Sequence, residues 1–74
     1  MRILFQDNSC SVPSFGCVVA DEIGYDADDG TLWFSCGDRC WSLECEKSVA
    51  DSFIRSAFFS GYLDVSSLVF NFDE

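Results

Sequence analysis

Two stretches separated by only two residues constrain this chain more than anything else in it. Thr31–Cys36 reads TLWFSC, Arg39–Glu44 reads RCWSLE, and only Gly37 and Asp38 lie between them. Both stretches are rich in residues that fit a pleated, half-buried surface. A two-residue loop that opens on glycine suits a type II′ turn, whose twist matches that of the flanking strands. The spacing therefore predicts a β-hairpin. Its register sets Cys36 opposite Arg39, Phe34 opposite Trp41 and Leu32 opposite Leu43. The last two pairs share one face, which becomes the core side. Trp33, Ser35, Cys40 and Ser42 fall on the other.

The rest of the chain is read outward from this hairpin. Residues 1–6 alternate, with Ile3 and Phe5 on one face and Arg2, Leu4 and Gln6 on the other, as a strand does. Residues 7–14 hold Asn8, three serines and the only proline, and read as a loop. Residues 15–25 lean to β through Cys17, Val18, Val19, Ile23 and Tyr25, with Gly16 and Gly24 as candidate bulges or bends. Residues 26–30 form a turn, in which Gly30 supplies a positive φ. Residues 45–60 carry a broad apolar stripe at helical spacing: Val49, Ala50, Phe53, Ile54, Ala57 and Phe58. Glu44 and Glu46 suit the positive end of that helix, Asp51 and Arg55 form an i,i+4 pair, and Gly61 is placed to stop it. Leu68, Phe70 and Phe72 then alternate as a final strand.

The expected fold is a single α+β domain over residues 1–74. It has two layers, an antiparallel-rich sheet of four to five strands on one helix, in the order β-β-β-β-α-β. The middle three strands form an antiparallel meander, and the first strand is a candidate partner for the last. A right-handed crossover follows if the last strand lies parallel to its neighbour. A chain this short buries roughly 60% of its unfolded surface. Eight phenylalanines and a 49% apolar content supply that thin core, since each aromatic ring buries roughly 150–250 Å².

Charge narrows the partners. Thirteen acidic residues against four basic ones give a net charge of −9. Such a field repels nucleic acid and anionic membranes, and it draws in basic partners. Residues 1–6 run straight into Asp7, Asn8 and Ser9 without the apolar stretch of a signal peptide. No run approaches the ~18 apolar residues of a membrane span. The expected compartment is the cytoplasm, where the five cysteines are reduced thiols.

The chemistry-bearing residues point away from catalysis. There is no histidine, which removes the usual general base near neutral pH and the usual partner of a catalytic Cys or Ser. No glycine-rich phosphate loop is present. Cys36, Cys40 and Cys45 lack the paired CxxC spacing of a zinc site, and the hairpin register puts Cys36 and Cys40 on opposite faces. With Gly30 at the sixth position of a calcium loop, Tyr25 and Cys36 fall where the first and last ligands belong. The expectation is a non-enzymatic protein with no cofactor and no metal.

The most unusual feature is the acidic run Asp21, Glu22, Asp26, Asp28 and Asp29. If residues 26 and 28 are extended, they stand on one side about 6.7 Å apart, from a rise of ~3.3 Å per residue. The cationic side chains that neutralise DNA phosphates would engage such a row. The simpler reading of the same run is an ordinary solvated turn. Trp33 and Phe59 fall off the core pattern. Each is either an anchor for a partner or covered, Trp33 by the N-terminal loop or by a strand and Phe59 by a fold-back of the last helical turn.

In type, the chain resembles the small acidic proteins encoded by phages and mobile elements, anti-CRISPR proteins among them. The resemblance covers the whole chain and lies in its size, its acidity and its lack of catalytic residues. The run from Asp21 through Asp29 is similar to those of DNA-mimicking members. What this implies is an inhibitor, acting in the host cytoplasm, that occupies a basic nucleic-acid-binding surface such as the DNA groove of a CRISPR effector. Asp21, Glu22, Asp26, Asp28 and Asp29 would carry the charge, with Trp33 as an apolar anchor. The alternative is a protein-interaction module or homo-oligomer that uses exposed aromatics, with acidity serving solubility.

Overall fold

A computed structural model describes residues 1–8 and 14–73. The elements are β1 (Arg2–Asp7), β2 (Ser14–Val19), β3 (Glu22–Asp26), β4 (Thr31–Cys36), β5 (Arg39–Glu44), α1 (Lys47–Ser60) and β6 (Tyr62–Asp73). The fold is α+β, with one helix and one mixed sheet of six strands in the order β2-β1-β6-β5-β4-β3. This corrects the expected four to five strands. Residues 15–25 divide into β2 and β3, which lie at opposite edges of the sheet. Most of the loop expected over residues 7–14 falls outside the described residues, while Asp7 ends β1 and Ser14 begins β2.

That division shapes the molecule. Six strands laid flat put their edges about 24 Å apart, from five spacings of roughly 4.8 Å. Only Ala20 and Asp21 join β2 to β3, and three Cα steps reach about 11 Å. The sheet therefore curls until its two edge strands join end to end at Ala20 and Asp21, without pairing with each other. Consecutive amides mark the seam: the Ala20 N–H donates to the Met1 carbonyl at 2.7 Å, and the Asp21 N–H donates to the Ser35 carbonyl at 2.8 Å. One peptide passes the chain from one half of the sheet to the other.

The hairpin has the expected register, with Leu32 opposite Leu43, Phe34 opposite Trp41 and Cys36 opposite Arg39. Gly37 has φ +63°, as the first position of a II′ turn requires. β3, β4 and β5 form the antiparallel meander. β1 pairs parallel with β6, and β6 pairs antiparallel with β5, so α1 links antiparallel neighbours and the rule for parallel crossovers does not apply. β6 begins at Tyr62, well before Leu68. Its polar stretch Asp64, Ser66, Ser67 hides the strand from periodicity. The ladder skips there, with Phe5 opposite Val65 and Gln6 opposite Val69. Local bonds hold the excursion: Gln6 Nε2 donates to the Ser66 carbonyl at 2.6 Å, and the Ser66 hydroxyl donates to Asp64 Oδ1 at 2.7 Å.

The core sits inside the curl. Phe5, Phe34, Trp41 and Phe70 come from four different strands and are all buried. The Phe5 and Phe34 rings meet edge to face at 4.9 Å, although their strands are three places apart in the sheet. Phe34 stacks on Trp41 at 5.4 Å and meets Phe70 edge-on at 5.1 Å. Such pairs add about 0.5–1.5 kcal/mol each beyond their burial. Gly16 lies opposite Phe5, and a Cβ there would stand 2.8 Å from Cζ of that ring. Absence of a side chain at residue 16 is what admits the ring.

α1 packs against β6 and β3, two strands with β5 and β4 between them, so it spans the curl. Ala50 and Ala57 are fully buried, and Phe53 and Ile54 pack against the core. Val49 and Phe58, at the margins of the apolar stripe, are exposed. The helix starts at Lys47 rather than at residue 45, with Glu46 as its N-cap. Lys47 pairs with Asp51 at 2.9 Å, in place of the Asp51–Arg55 pair that the spacing predicts. Gly61 ends the helix at φ +70°, its N–H bonded to the Ala57 carbonyl.

Candidate functional site

In β3 the residues at even positions face outward: Glu22, Gly24 and Asp26. The register extends this face across the meander. Glu22 lies opposite Ser35, Gly24 opposite Trp33, and Asp26 opposite Thr31. Thr31 lies in turn opposite Glu44, and Trp33 opposite Ser42. The outer face of β3, β4 and β5 thus bears the carboxylates Glu22, Asp26 and Glu44 around one indole. Glu22 and Asp26 stand about 13 Å apart along the strand, from ~3.3 Å per residue. Asp26 and Glu44 stand roughly 9.5 Å apart across it, from two inter-strand spacings.

Trp33 occupies the centre of this face because residue 24 is glycine. A Cβ at Gly24 would lie 2.7 Å from Trp33 Cζ2, so the ring lies down over the bare backbone. Trp33 is half-buried, its ring set against the neighbouring strand β3 at Gly24; most of the N-terminal loop, its other expected cover, lies outside the described residues. Phe59, by contrast, is 93% exposed and does not fold back.

Asp21, Glu22, Asp26, Asp28 and Asp29 are all exposed. Among the described residues none of the five pairs with a lysine or arginine; the ion pair found there joins Lys47 and Asp51. They do not form one extended row. Residues 27–30 are a turn, which corrects the extended spacing of residues 26 and 28. Asp26 Oδ1 accepts the backbone N–H of Asp28 at 3.0 Å and of Asp29 at 3.4 Å. Its carboxylate thereby builds the turn that carries the next two. Asp21 sits at the far end of β3, where Oδ2 accepts the Gly37 N–H at 2.7 Å. The five carboxylates are thus strung along the β3 edge, with Asp21 at one end and the 26–29 turn at the other. Glu44 belongs to this face but lies outside the acidic run, and only the hairpin register could have found it.

The other half of the sheet differs. Its outward rows are Val19–Arg2–Tyr62, Cys17–Leu4–Asp64 and Phe15–Gln6–Val69. Among the described residues of these rows the one carboxylate is Asp64, and the Ser66 hydroxyl and N–H beside it hold its acid below the usual carboxylate range. A shallow groove of about 330 Å³ opens beside Met1, Arg2, Val19, Gly61 and Tyr62.

Cys36, Cys40 and Cys45 do not converge on a metal-binding arrangement; among the described residues no three Cys, Asp or Glu side chains are grouped to hold an ion. Cys45 is half-buried where β5 gives way to α1, its carbonyl accepting the Tyr25 hydroxyl at 3.1 Å. Burial raises its thiol pKa, against a lowering contribution from a hydrogen bond with the Leu32 backbone. Among the described residues no helix is long and apolar enough to cross a membrane.

Compared with protein-family models, with curated proteins and with solved structures, the chain matches none of them.

Proposed function

We propose that this protein is a non-enzymatic inhibitor that presents its acidic β3–β5 face to a basic nucleic-acid-binding surface. It acts there as a decoy for the DNA backbone. A CRISPR effector's DNA groove is a target of the right chemistry, since its lysines and arginines are arranged to hold phosphates. The observation that carries this reading is the set of exposed carboxylates along one strand edge, none of them in an ion pair with a lysine or arginine among the described residues. A partner's cations would meet charges not already spent on internal pairs. Glu22, Asp26, Asp28 and Asp29 supply the charge, and Glu44 extends it across the sheet. Trp33, lying flat between them, offers a ring face on which a guanidinium can stack.

The test must respect the structural duties of two of these residues. Asp26 organises its own turn and Asp21 holds the hairpin, so neither is reversed. The informative variant is Glu22→Lys with Asp28→Lys and Asp29→Lys, and with Asp26→Asn to keep the turn's acceptor oxygen. Wild-type protein should displace DNA from a basic partner, with an affinity that falls steeply as salt rises. The variant should stay folded by circular dichroism and lose the displacement. A folded variant that displaces DNA as well as wild type would remove the basis of the decoy mechanism.

A further inference from the structure

The opposite edge of the sheet carries a second surface. The Ala20 N–H donates to the Met1 carbonyl at 2.7 Å, and the Met1 ammonium returns a bond to the Ala20 carbonyl at 3.5 Å. Residues 1 and 20 are therefore a hydrogen-bonded pair. Antiparallel ladders alternate such pairs with unbonded ones. Counting back along the register, Val18 with Ile3 and Gly16 with Phe5 are also bonded pairs. The amides and carbonyls of Phe15, Cys17 and Val19 accordingly point away from β1, along an edge that no other described strand takes up.

The side chains on that edge are unusual for an exposed strand. Phe15 is 78% exposed and Val19 63%, and Cys17 between them is exposed as well. Ser14–Val19 contains no charged residue and no proline. Exposed edges are normally blunted by lysine, proline or a bulge, and none is present here.

We propose that β2 pairs with β2 of a second copy of this chain, antiparallel about a two-fold axis at Cys17. This register sets Cys17 against Cys17 of the other copy, and Phe15 and Val19 against that copy's Val19 and Phe15. The three outward amides and three outward carbonyls of each strand then all find partners. Phenylalanine opposite valine is a favourable cross-strand pair. The other copy's Phe15 arrives directly opposite Val19, one wall of the shallow groove beside Tyr62. A two-fold contact must be self-complementary. An uncharged strand meets that condition in a protein of net charge −9, because the β3–β5 carboxylates are carried by the other half of the sheet.

The mass in solution should be followed by sedimentation in reducing buffer, across a concentration series reaching the millimolar range. It should rise from the 8.3 kDa monomer toward twice that value. Phe15→Lys with Val19→Lys should hold it at the monomer while circular dichroism is retained. A second readout does not depend on that variant folding. In an antiparallel bonded pair the Cα atoms lie about 5.5 Å apart, within disulfide range. Mild oxidation of wild-type protein with diamide, which takes up the two electrons and two protons of the thiols, should give a Cys17–Cys17 linked peptide by mass spectrometry. Cys17→Ser should abolish that crosslink and leave the mass in reducing buffer unchanged. A monomer at every concentration would overturn the proposal. So would a dimer undisturbed by the two lysines, or a crosslink that leaves Cys17 unmodified. Salt-sensitive binding by the acidic face is unaffected by any of these outcomes.

Discussion

The carboxylate of Asp21 accepts the backbone N–H of Gly37 at 2.7 Å, across sixteen residues of chain. The first acid of the acidic run thus fastens the tip of the β4–β5 hairpin to the seam where β2 becomes β3. Asp21→Ala removes the acceptor and should cost about 1 kcal/mol, the usual worth of one such bond. Asp21→Asn keeps an acceptor oxygen and should cost less. Urea denaturation of the three proteins orders them, and equal midpoints for Asp21→Ala and wild type would show that the bond contributes nothing.

The two strand glycines should respond unequally to alanine. At Gly16 the added Cβ meets the Phe5 ring at 2.8 Å, and that ring is locked among Phe34, Trp41 and Phe70. The core must yield, so Gly16→Ala should cost about 1–3 kcal/mol, as overpacking does. At Gly24 the added Cβ meets Trp33, whose half-exposed ring can lift into solvent. Gly24→Ala should be milder and should red-shift the tryptophan emission. Equal losses at the two sites would contradict this account.

Cysteine reactivity should separate along the structure. Only the thiolate is nucleophilic. Cys17 is exposed, whereas burial raises the Cys45 pKa. Brief iodoacetamide treatment of the folded protein near neutral pH, read by peptide mass spectrometry, should label Cys17 well before Cys45. Unfolding in urea should abolish the difference.

Asp64 gives the fold a weak dependence on acid. Its hydrogen bonds with Ser66 lower its pKa in the folded chain, so folding favours the ionised form. The stabilisation is complete above the ordinary carboxylate pKa and fades as pH falls through the lowered folded value. Asp64→Asn and Ser66→Ala should therefore flatten the loss of stability on the acid side and leave the slope near neutral pH unchanged. Thermal melts across that range test it.

The hairpin was legible in the sequence because its register, turn and core pairs all follow from one dipeptide, Gly37-Asp38. The helix was legible too, through Ala50, Phe53, Ile54, Ala57 and the terminal Gly61. Two features were hidden for physical reasons. Only Ala20 and Asp21 join β2 to β3, with no glycine or proline between Val19 and Glu22, so no turn signal marks the change of partner from β1 to β4. The first half of β6 was hidden because Asp64 and Ser66 serve a local excursion rather than an alternating face. Of the candidate site, the acidic run was plain in the sequence. Its division between a hairpin anchor at Asp21 and a self-built turn at Asp26 depends on side-chain hydrogen bonds, which composition does not encode. The covering of Gly24 by Trp33 follows only once β3 is set beside β4.

The parallel pairing of β1 with β6 has a consequence for synthesis on the ribosome. Phe5 leaves the ribosome 65 residues ahead of Phe70 (positions 5 and 70), one of the rings it packs against. The aromatic interior has no closing wall until β6 has left the exit tunnel, so β1 stays unsealed while the strands and helix between them are made. Contacts between such distant segments also slow folding. Closure of this domain is therefore timed by the emergence of β6.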